Sequence, residues 1–153
     1  KTRIKGFEVA TSYSFPGGAK VGGSYAALEG RYDSNADGRL DKDLDGRNIS
    51  PDRVNLYAQT PFGRGITGRV QLSHLFDRKF DGGLPQHNFN GYTLADALVS
   101  YENDSLGRLT LAVSNLFDEF YVTYFSQTST FVSDVDYVSG RGRAVSLRWQ
   151  RTF

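Results

Sequence analysis

The chain has 153 residues, a net charge of +1, no Cys and two His. This length fits one domain or a piece of a larger one, and the lack of Cys excludes a disulfide framework, a thiolate metal site and a thiol nucleophile. The near-zero net charge disfavours a nucleic-acid surface, and no apolar run approaches the roughly 20 residues of a transmembrane helix.

The dominant pattern is a period of two, which predicts strands. In the last segment Val145, Leu147 and Trp149 share one face, while Ser146 and Arg148 share the other. In chain order, the predicted strands cover 7–15, 20–32, 53–62, 65–76, 92–102, 108–117 and 144–153. The length of each is close to that of a tilted strand that crosses a bilayer, about 9–11 residues. The phase of 20–32 is ambiguous.

The connections alternate in length. Short glycine-containing turns lie at 16–18, 62–65 and 103–107, and long polar loops lie at 33–52, 77–91 and 118–141. Short turns at one end and long loops at the other are typical of outer-membrane barrels, whose short turns are periplasmic. We therefore predict an all-β fold, an antiparallel transmembrane β-barrel segment of about seven meandering strands. A soluble sandwich or lipocalin-like barrel also alternates, with its apolar face inward.

Aromatic residues fall near the predicted strand ends, where the two membrane interfaces favour them. The predicted periplasmic girdle comprises Phe15, Phe62, Tyr101 and Phe153. The predicted external girdle comprises Phe76, Tyr92 and Phe117.

The first long loop imitates a calcium-binding loop. Asp33, Asn35, Asp37 and Asp41 supply oxygens at its first, third, fifth and ninth positions. Its twelfth position is Leu44 in place of the bidentate Glu, and no amphipathic helices flank it. We therefore predict a solvated acidic loop and no metal site, with weak calcium binding as the alternative.

No constellation of catalytic residues is present in the sequence. The two His, His74 and His87, have no Ser-His-Asp or Cys-His partners at credible spacing. The glycine pattern from Gly63 to Gly68 precedes a predicted strand, whereas a dinucleotide fingerprint follows a strand and opens a helix. We predict that the protein is not an enzyme and uses no cofactor.

Four segments resemble one family, in the family's own order along the chain. The segment 109–121 contains Asn115, Leu116 and Phe117 followed by Tyr121, and the segment 140–153 ends an alternating strand on Phe153. These two resemble the last strands of TonB-dependent outer-membrane receptors. Weaker likenesses lie at 6–8 and 44–51, and the loop at 136–143 is similar to that of hydroxamate or citrate-type siderophore receptors.

This resemblance implies that 1–153 form the C-terminal part of a 22-stranded barrel, without the N-terminal plug. It implies a location in the outer membrane of a Gram-negative bacterium and uptake of a ferric siderophore. The implied partners are the siderophore, outer-membrane lipid, the inner-membrane TonB complex through the missing N-terminal part, and the barrel-assembly machinery. Nucleic acid is not among them. The alternatives are a self-contained outer-membrane barrel of about eight strands, structural or adhesive in role, and a soluble ligand-binding β-barrel.

Site residues follow from this placement. Arg69 and Arg148 would face the lumen or plug, and Phe153 resembles the terminal signal read during barrel assembly. Amphipathic ferric chelates could be held at the external loops by stacking and charge, with packing between loops as the alternative for each residue. The candidate ligand-binding residues are Phe80, His87, Phe89, Tyr121, Tyr124, Phe125 and Tyr137.

Overall fold

The structure, a computed structural model, describes residues 1–46, 48–80, 88–128 and 138–152. No helix among these residues is long and apolar enough to cross a membrane. The strands are β1 (Thr2–Ser14), β2 (Lys20–Tyr32), β3 (Lys42–Asp43), β4 (Arg53–Gly63), β5 (Ile66–Leu75), β6 (Tyr92–Asn103), β7 (Gly107–Ser114) and β8 (Ala144–Gln150), and the short helix α1 is Tyr124–Thr128.

These strands form an antiparallel meander in the order β1-β2-β4-β5-β6-β7-β8. The prediction of an all-β antiparallel sheet with seven long strands is confirmed. Two elements were not predicted, because both lie inside long loops that have no periodic pattern. The short strand β3 pairs with the end of β2 through Arg31 and Asp43, and α1 lies in the last long loop.

The short turns all lie at one end of the sheet, and the long loops lie at the other. The turn between β4 and β5 is tight because Gly63, Arg64 and Gly65 all take positive φ. Glycine adopts this conformation at little cost, which explains the glycines on both sides of Arg64. Between β6 and β7, the side-chain oxygen of Asn103 accepts the backbone N–H groups of Ser105 and Leu106. Such side-chain acceptance is the usual way in which Asn stabilises a turn.

The apolar residues of neighbouring strands are in register and form continuous rows on one face. Directly paired residues share a face. One row crosses all seven long strands and contains Tyr13, Val21, Ala58, Val70, Ala97, Val113 and Val145. We call this side the outward face and the opposite side the inner face.

The outward face is uncovered along most of the sheet. Val145, Leu147 and Trp149 are 67%, 69% and 63% exposed. A soluble sandwich or lipocalin-like barrel would bury them in a dry interior, and none of the described elements covers them. The outward residues from Ile66 to Phe76 span about 34 Å of strand. At a tilt of about 40° this rises about 26 Å, close to the roughly 25 Å apolar band of membrane barrels.

The inner face is polar and hydrogen-bonded between strands. Ser73 donates its hydroxyl to Asn55 Oδ1 at 2.8 Å, and the amide of Asn55 reaches Ser24 Oγ at 3.4 Å. One pair further along the strands, Gln71 Nε2 donates to Asp96 Oδ2 at 2.9 Å. These bonds satisfy polar groups across the strands of this face.

One predicted girdle residue faces the other way. Tyr92 pairs with Leu75 and shares the parity of Asp96, so its ring lies on the inner face. The prediction that Tyr92 belongs to the external girdle is therefore wrong. The alternation of β6 already carried this signal, because the outward residues of that strand are the odd-numbered ones. His74 does face outward, where its Nδ1 lies 2.8 Å from Thr93 Oγ1 and its ring meets Phe76 edge-on.

Candidate functional site

The long loops pack together at one end of the sheet into a loop cluster, which we define as residues 44–46, 48–50, 76–80, 88–91, 115–128 and 138–143. Its centre is apolar. Phe89 and Ile49 are each 1% exposed, and the Phe89 ring meets the Tyr124 ring edge-on at 4.8 Å between centroids. Ile49 lies against Gly30 on the inner face of β2, where a side chain at that glycine would collide with it. The cluster therefore folds over the inner face at this end.

The helix α1 ties the loops to one another. The Tyr124 hydroxyl donates to the carbonyl of Ile49 at 2.6 Å. Gln127 exchanges two bonds with Asn90, its Oε1 accepting the Asn90 N–H and its Nε2 donating to the Asn90 carbonyl, and Nε2 also donates to the Val122 carbonyl. Gln127 is buried. A buried amide with its donor and acceptor both engaged fixes the relative position of the two loop segments.

Asn115 holds the start of the last long loop. It is 4% exposed and adopts a φ of 50°, a conformation that Asn tolerates better than most residues. Its Oδ1 accepts the Glu119 N–H at 2.9 Å, and its Nδ2 donates to the carbonyls of Glu119 and Arg141. Its own N–H donates to Asp96 Oδ1 at 2.8 Å. The motif residue Asn115 thus links the inner face of β6 to both ends of this loop.

The other two motif residues have different environments. The backbone N–H of Leu116 donates to the carbonyl of Ala95 at 2.7 Å, which prolongs the pairing of β6 with β7. The Phe117 side chain is exposed, as a girdle residue would be.

An open cleft lies in the loop cluster at the end of the inner face. It is lined by nine residues from the two loop segments and the start of β6: Asn88, Asn90, Gly91, Tyr92, Glu119, Phe120, Tyr121, Val122 and Gln127. The rings of Tyr92 and Tyr121 are 4.5 Å apart and tilted by 41°. The cleft therefore offers two phenol rings and one carboxylate to a ligand, a mixture suited to an amphipathic molecule.

The predicted ligand-binding residues occupy different environments. Tyr121 lines the cleft, and Phe125 projects outward from the loops with 61% exposure. Phe80 is half-buried beneath the Arg78 guanidinium, 5.5 Å from the ring centre. Phe89 and Tyr124 pack into the loop core, which is the alternative role considered for each of them. His87 and Tyr137 lie outside the described residues.

Apart from Tyr121, sequence reasoning missed the residues of the cleft. Asn90, Glu119 and Gln127 lie in loops, where no period predicts the direction of a side chain. Their hydrogen-bond partners are also remote, since the bonds between Gln127 and Asn90 join residues 37 positions apart. Only Tyr92 had a signal, its parity in β6.

The two predicted lumen residues both lie on the inner face. Arg69 stands over the Tyr57 ring, 4.2 Å from its centre, in a cation–π contact. Arg148 pairs with Thr110 in the row that also contains Ser100. Phe153 lies outside the described residues.

The acidic loop uses its carboxylates to bind its own backbone. The carboxylate of Asp33 accepts the N–H groups of Asp37 and Gly38, and Asp41 accepts both the N–H and the hydroxyl of Ser34. The bonds from Ser34 lower the pKa of Asp41. Within the described residues, no group of three His, Cys, Asp or Glu side chains is arranged to hold a metal ion.

One tyrosine in the loop cluster has a large pKa shift. Burial raises the pKa of Tyr124 to about 12, with Arg78 opposing the shift and Asp45 adding to it. The neutral phenol is the form that donates to the Ile49 carbonyl.

Comparison with known proteins bears on the class of this fold and site. No family model matches the chain. The whole chain aligns with the ferric aerobactin receptors of Escherichia coli and Klebsiella pneumoniae at 29% identity over 164 residues, and it spans 21% of each. Among solved structures, the copper transporter OprC superposes with a TM-score of 0.72 over 93% of this chain and 22% of its own, at 20% identity.

These matches confirm the resemblance to TonB-dependent receptors. The chain is similar along its length to a receptor and shares its fold with a transporter, and neither is an enzyme. The identity to the copper transporter is low, so that match carries the fold alone.

Proposed function

We propose that this chain is the C-terminal part of the barrel wall of a TonB-dependent receptor in the outer membrane of a Gram-negative bacterium, and that the receptor imports a ferric siderophore. The rest of a 22-stranded barrel and the plug would come from other parts of the protein, through which the inner-membrane TonB complex would act. Phe153 would serve as the signal for the barrel-assembly machinery.

The observation that carries this proposal is the contrast between the two faces. The outward face exposes an apolar row that is in register across the seven long strands, and the inner face carries hydrogen-bonded polar groups. Lipid outside and a wet lumen inside satisfy both faces. The strands β1 and β8 lie at opposite ends of the sheet, whereas a closed barrel pairs its first strand with its last. This favours a larger barrel over the alternative of about eight strands.

The cleft in the loop cluster is the proposed contact with the siderophore. It opens at the end where the long loops lie and is continuous with the inner face, because Tyr92 belongs to both. The Tyr92 and Tyr121 rings offer stacking surfaces, and the exposed ring of Phe125 extends the apolar surface of the loops. Similarity to ferric aerobactin receptors makes ferric aerobactin the first chelate to test.

Uptake of radioactive iron tests the substrate. A deletion strain that carries the full-length gene should accumulate iron from ferric aerobactin, and the same strain without the gene should not. A ferric catecholate and a copper salt serve as alternative substrates. Uptake of copper with no uptake of any ferric chelate would overturn the siderophore proposal.

Variants of the cleft test its role. Tyr121→Ala should weaken binding of ferric aerobactin about tenfold, because a lost stacking contact in a partly dry site costs about 1 kcal/mol or more. Phe62→Ala, an exposed aromatic change at the opposite end of the sheet, is the matched control and should leave binding unchanged. Equal binding by both variants would place the ligand elsewhere.

A further inference from the structure

A basic stripe lies directly above the apolar part of β1 on the outward face. The outward residues Arg3 and Lys5 precede the outward residues Phe7, Val9 and Thr11 on the same strand. Along the outward face of β1, the side chains therefore change from cationic to apolar within two residues. Rings at this level, from Phe7 to Tyr25 and from Tyr25 to Phe76, lie 5.5 Å and 6.1 Å apart, as in an interfacial aromatic band.

Acidic groups nearby are already engaged with protein partners. Glu29 pairs with Lys5 at 3.0 Å, and Asp43 pairs with Arg31 at 3.0 Å. The Asp52 carboxylate accepts the Leu28 N–H at 3.3 Å and the Tyr25 hydroxyl at 3.4 Å. Within the described residues, Arg3 has no carboxylate partner, so one guanidinium at this level is available to an outside anion.

An apolar hollow lies below the stripe on the same face. It is open, and its lining includes Val9, Thr11, Tyr13, Gly23, Val54 and Leu56. Gly23 lies in its floor between Thr11 and Leu56, and the Leu56 side chain leans over that glycine. From Lys5 to Val9 the strand advances about 13 Å, so cation and hollow follow one another along the strand.

We propose that β1, β2 and β4 bind a phosphate-bearing lipid of the outer leaflet, with the phosphate at Arg3 and Lys5 and an acyl chain in the hollow. This rests on the proposed function, because it requires the outward face to meet lipid. The order on the strand, cationic and then apolar, matches the order in such a lipid of phosphate headgroup and then acyl tail. Charge complementarity selects a phosphate over a zwitterionic headgroup.

Native mass spectrometry of the purified full-length protein in detergent tests the site, with phosphatidic acid and phosphatidylcholine of identical acyl chains as probes. Phosphatidic acid should bind more tightly. Arg3→Gln combined with Lys5→Gln should remove that preference, at about fivefold per charge. Glu29→Gln should strengthen binding, since it releases Lys5 from its ion pair. Lys20→Gln, on the inner face at the other end of β2, is the matched control.

A second variant addresses the hollow. Thr11→Phe fills the hollow from the strand surface. It should weaken the binding of phosphatidic acid without creating a preference for phosphatidylcholine. Two results would overturn the proposal. One is equal affinity of the unmodified protein for the two lipids, and the other is an effect of millimolar inorganic phosphate at the site equal to that of phosphatidic acid. Membrane fractionation of the same protein keeps the outcomes distinct, because recovery outside the outer membrane would overturn the proposed function instead.

Discussion

Asn115 explains at the residue scale why an Asn opens the Asn-Leu-Phe motif. It combines a left-handed backbone with three side-chain hydrogen bonds in a buried position. Asn115→Ala removes all three bonds and adds backbone strain, so we expect the free energy of unfolding to fall by about 2–4 kcal/mol. Urea titration followed by tryptophan fluorescence measures this.

Two further variants separate the causes of that loss. Asn115→Gly relieves the strain and loses the bonds, while Asn115→Asp keeps the acceptor for the Glu119 N–H and loses the donors. We expect both to be more stable than Asn115→Ala. An Ala variant as stable as the unmodified protein would mean that Asn115 does not hold the loop.

The shifted pKa of Tyr124 predicts a dependence of stability on alkaline pH. The folded pKa is about 12, above the ordinary value of 10, so the folded state holds its proton more tightly than the unfolded state. The stabilisation is complete below pH 10 and is lost as pH rises towards 12. Tyr124→Phe should cost about 1 kcal/mol at neutral pH through the lost bond to Ile49, and it should flatten the decline above pH 10.

The measurement compares unfolding free energies at pH 8, 10 and 11 for both proteins. Tyr13→Phe, at an exposed outward position, is the control and should follow the unmodified protein. If the unfolding free energies of Tyr124→Phe and the unmodified protein fell in parallel with pH, the raised pKa of Tyr124 would be contradicted.

At the scale of elements, the period of two predicted the long strands, because most of them carry one apolar and one polar face. Its phase was ambiguous for β2, whose outward face includes Gly23, Glu29 and Arg31. It failed where this contrast was missing. The prediction began the first strand at residue 7, whereas β1 begins at Thr2, since the outward residues Arg3 and Lys5 are basic and interrupt the apolar alternation. The short elements β3 and α1 depend on contacts with other loops and have no pattern of their own.

Neighbouring residues on β8 give opposite predictions. Leu147 faces outward and Ser146 faces inward, in rows with Leu111 and Ala112. An Arg in the lipid-facing row near the middle of a bilayer costs about 2–4 kcal/mol, whereas an Arg facing the lumen does not. Leu147→Arg should therefore reduce the heat-modifiable folded band on gels, and Ser146→Arg should retain it. Equal folding of the two would argue against a bilayer on the outward face.

At the scale of the whole molecule, the sequence predicted where the loops lie but not the cleft that they form. The bond from Tyr124 to Ile49 spans 75 residues, and that from Asn115 to Arg141 spans 26. No local pattern encodes such pairings, because they arise only when the meander brings the long loops to one end. The short turns were predictable for the opposite reason, since Gly and Asn determine each of them locally.

The arrangement of the loops also predicts which end faces the cell exterior. The 153 residues contain no Cys, so single Cys substitutions in this part of the protein report its topology without a native thiol among them. Ser34→Cys lies in the first long loop and Ser105→Cys in the short turn between β6 and β7. In intact cells a membrane-impermeant maleimide should label the first and not the second, and permeabilising the outer membrane should expose the second. Labelling of Ser105→Cys in intact cells would show that the chain has the opposite orientation in the membrane, with the cleft on the periplasmic side.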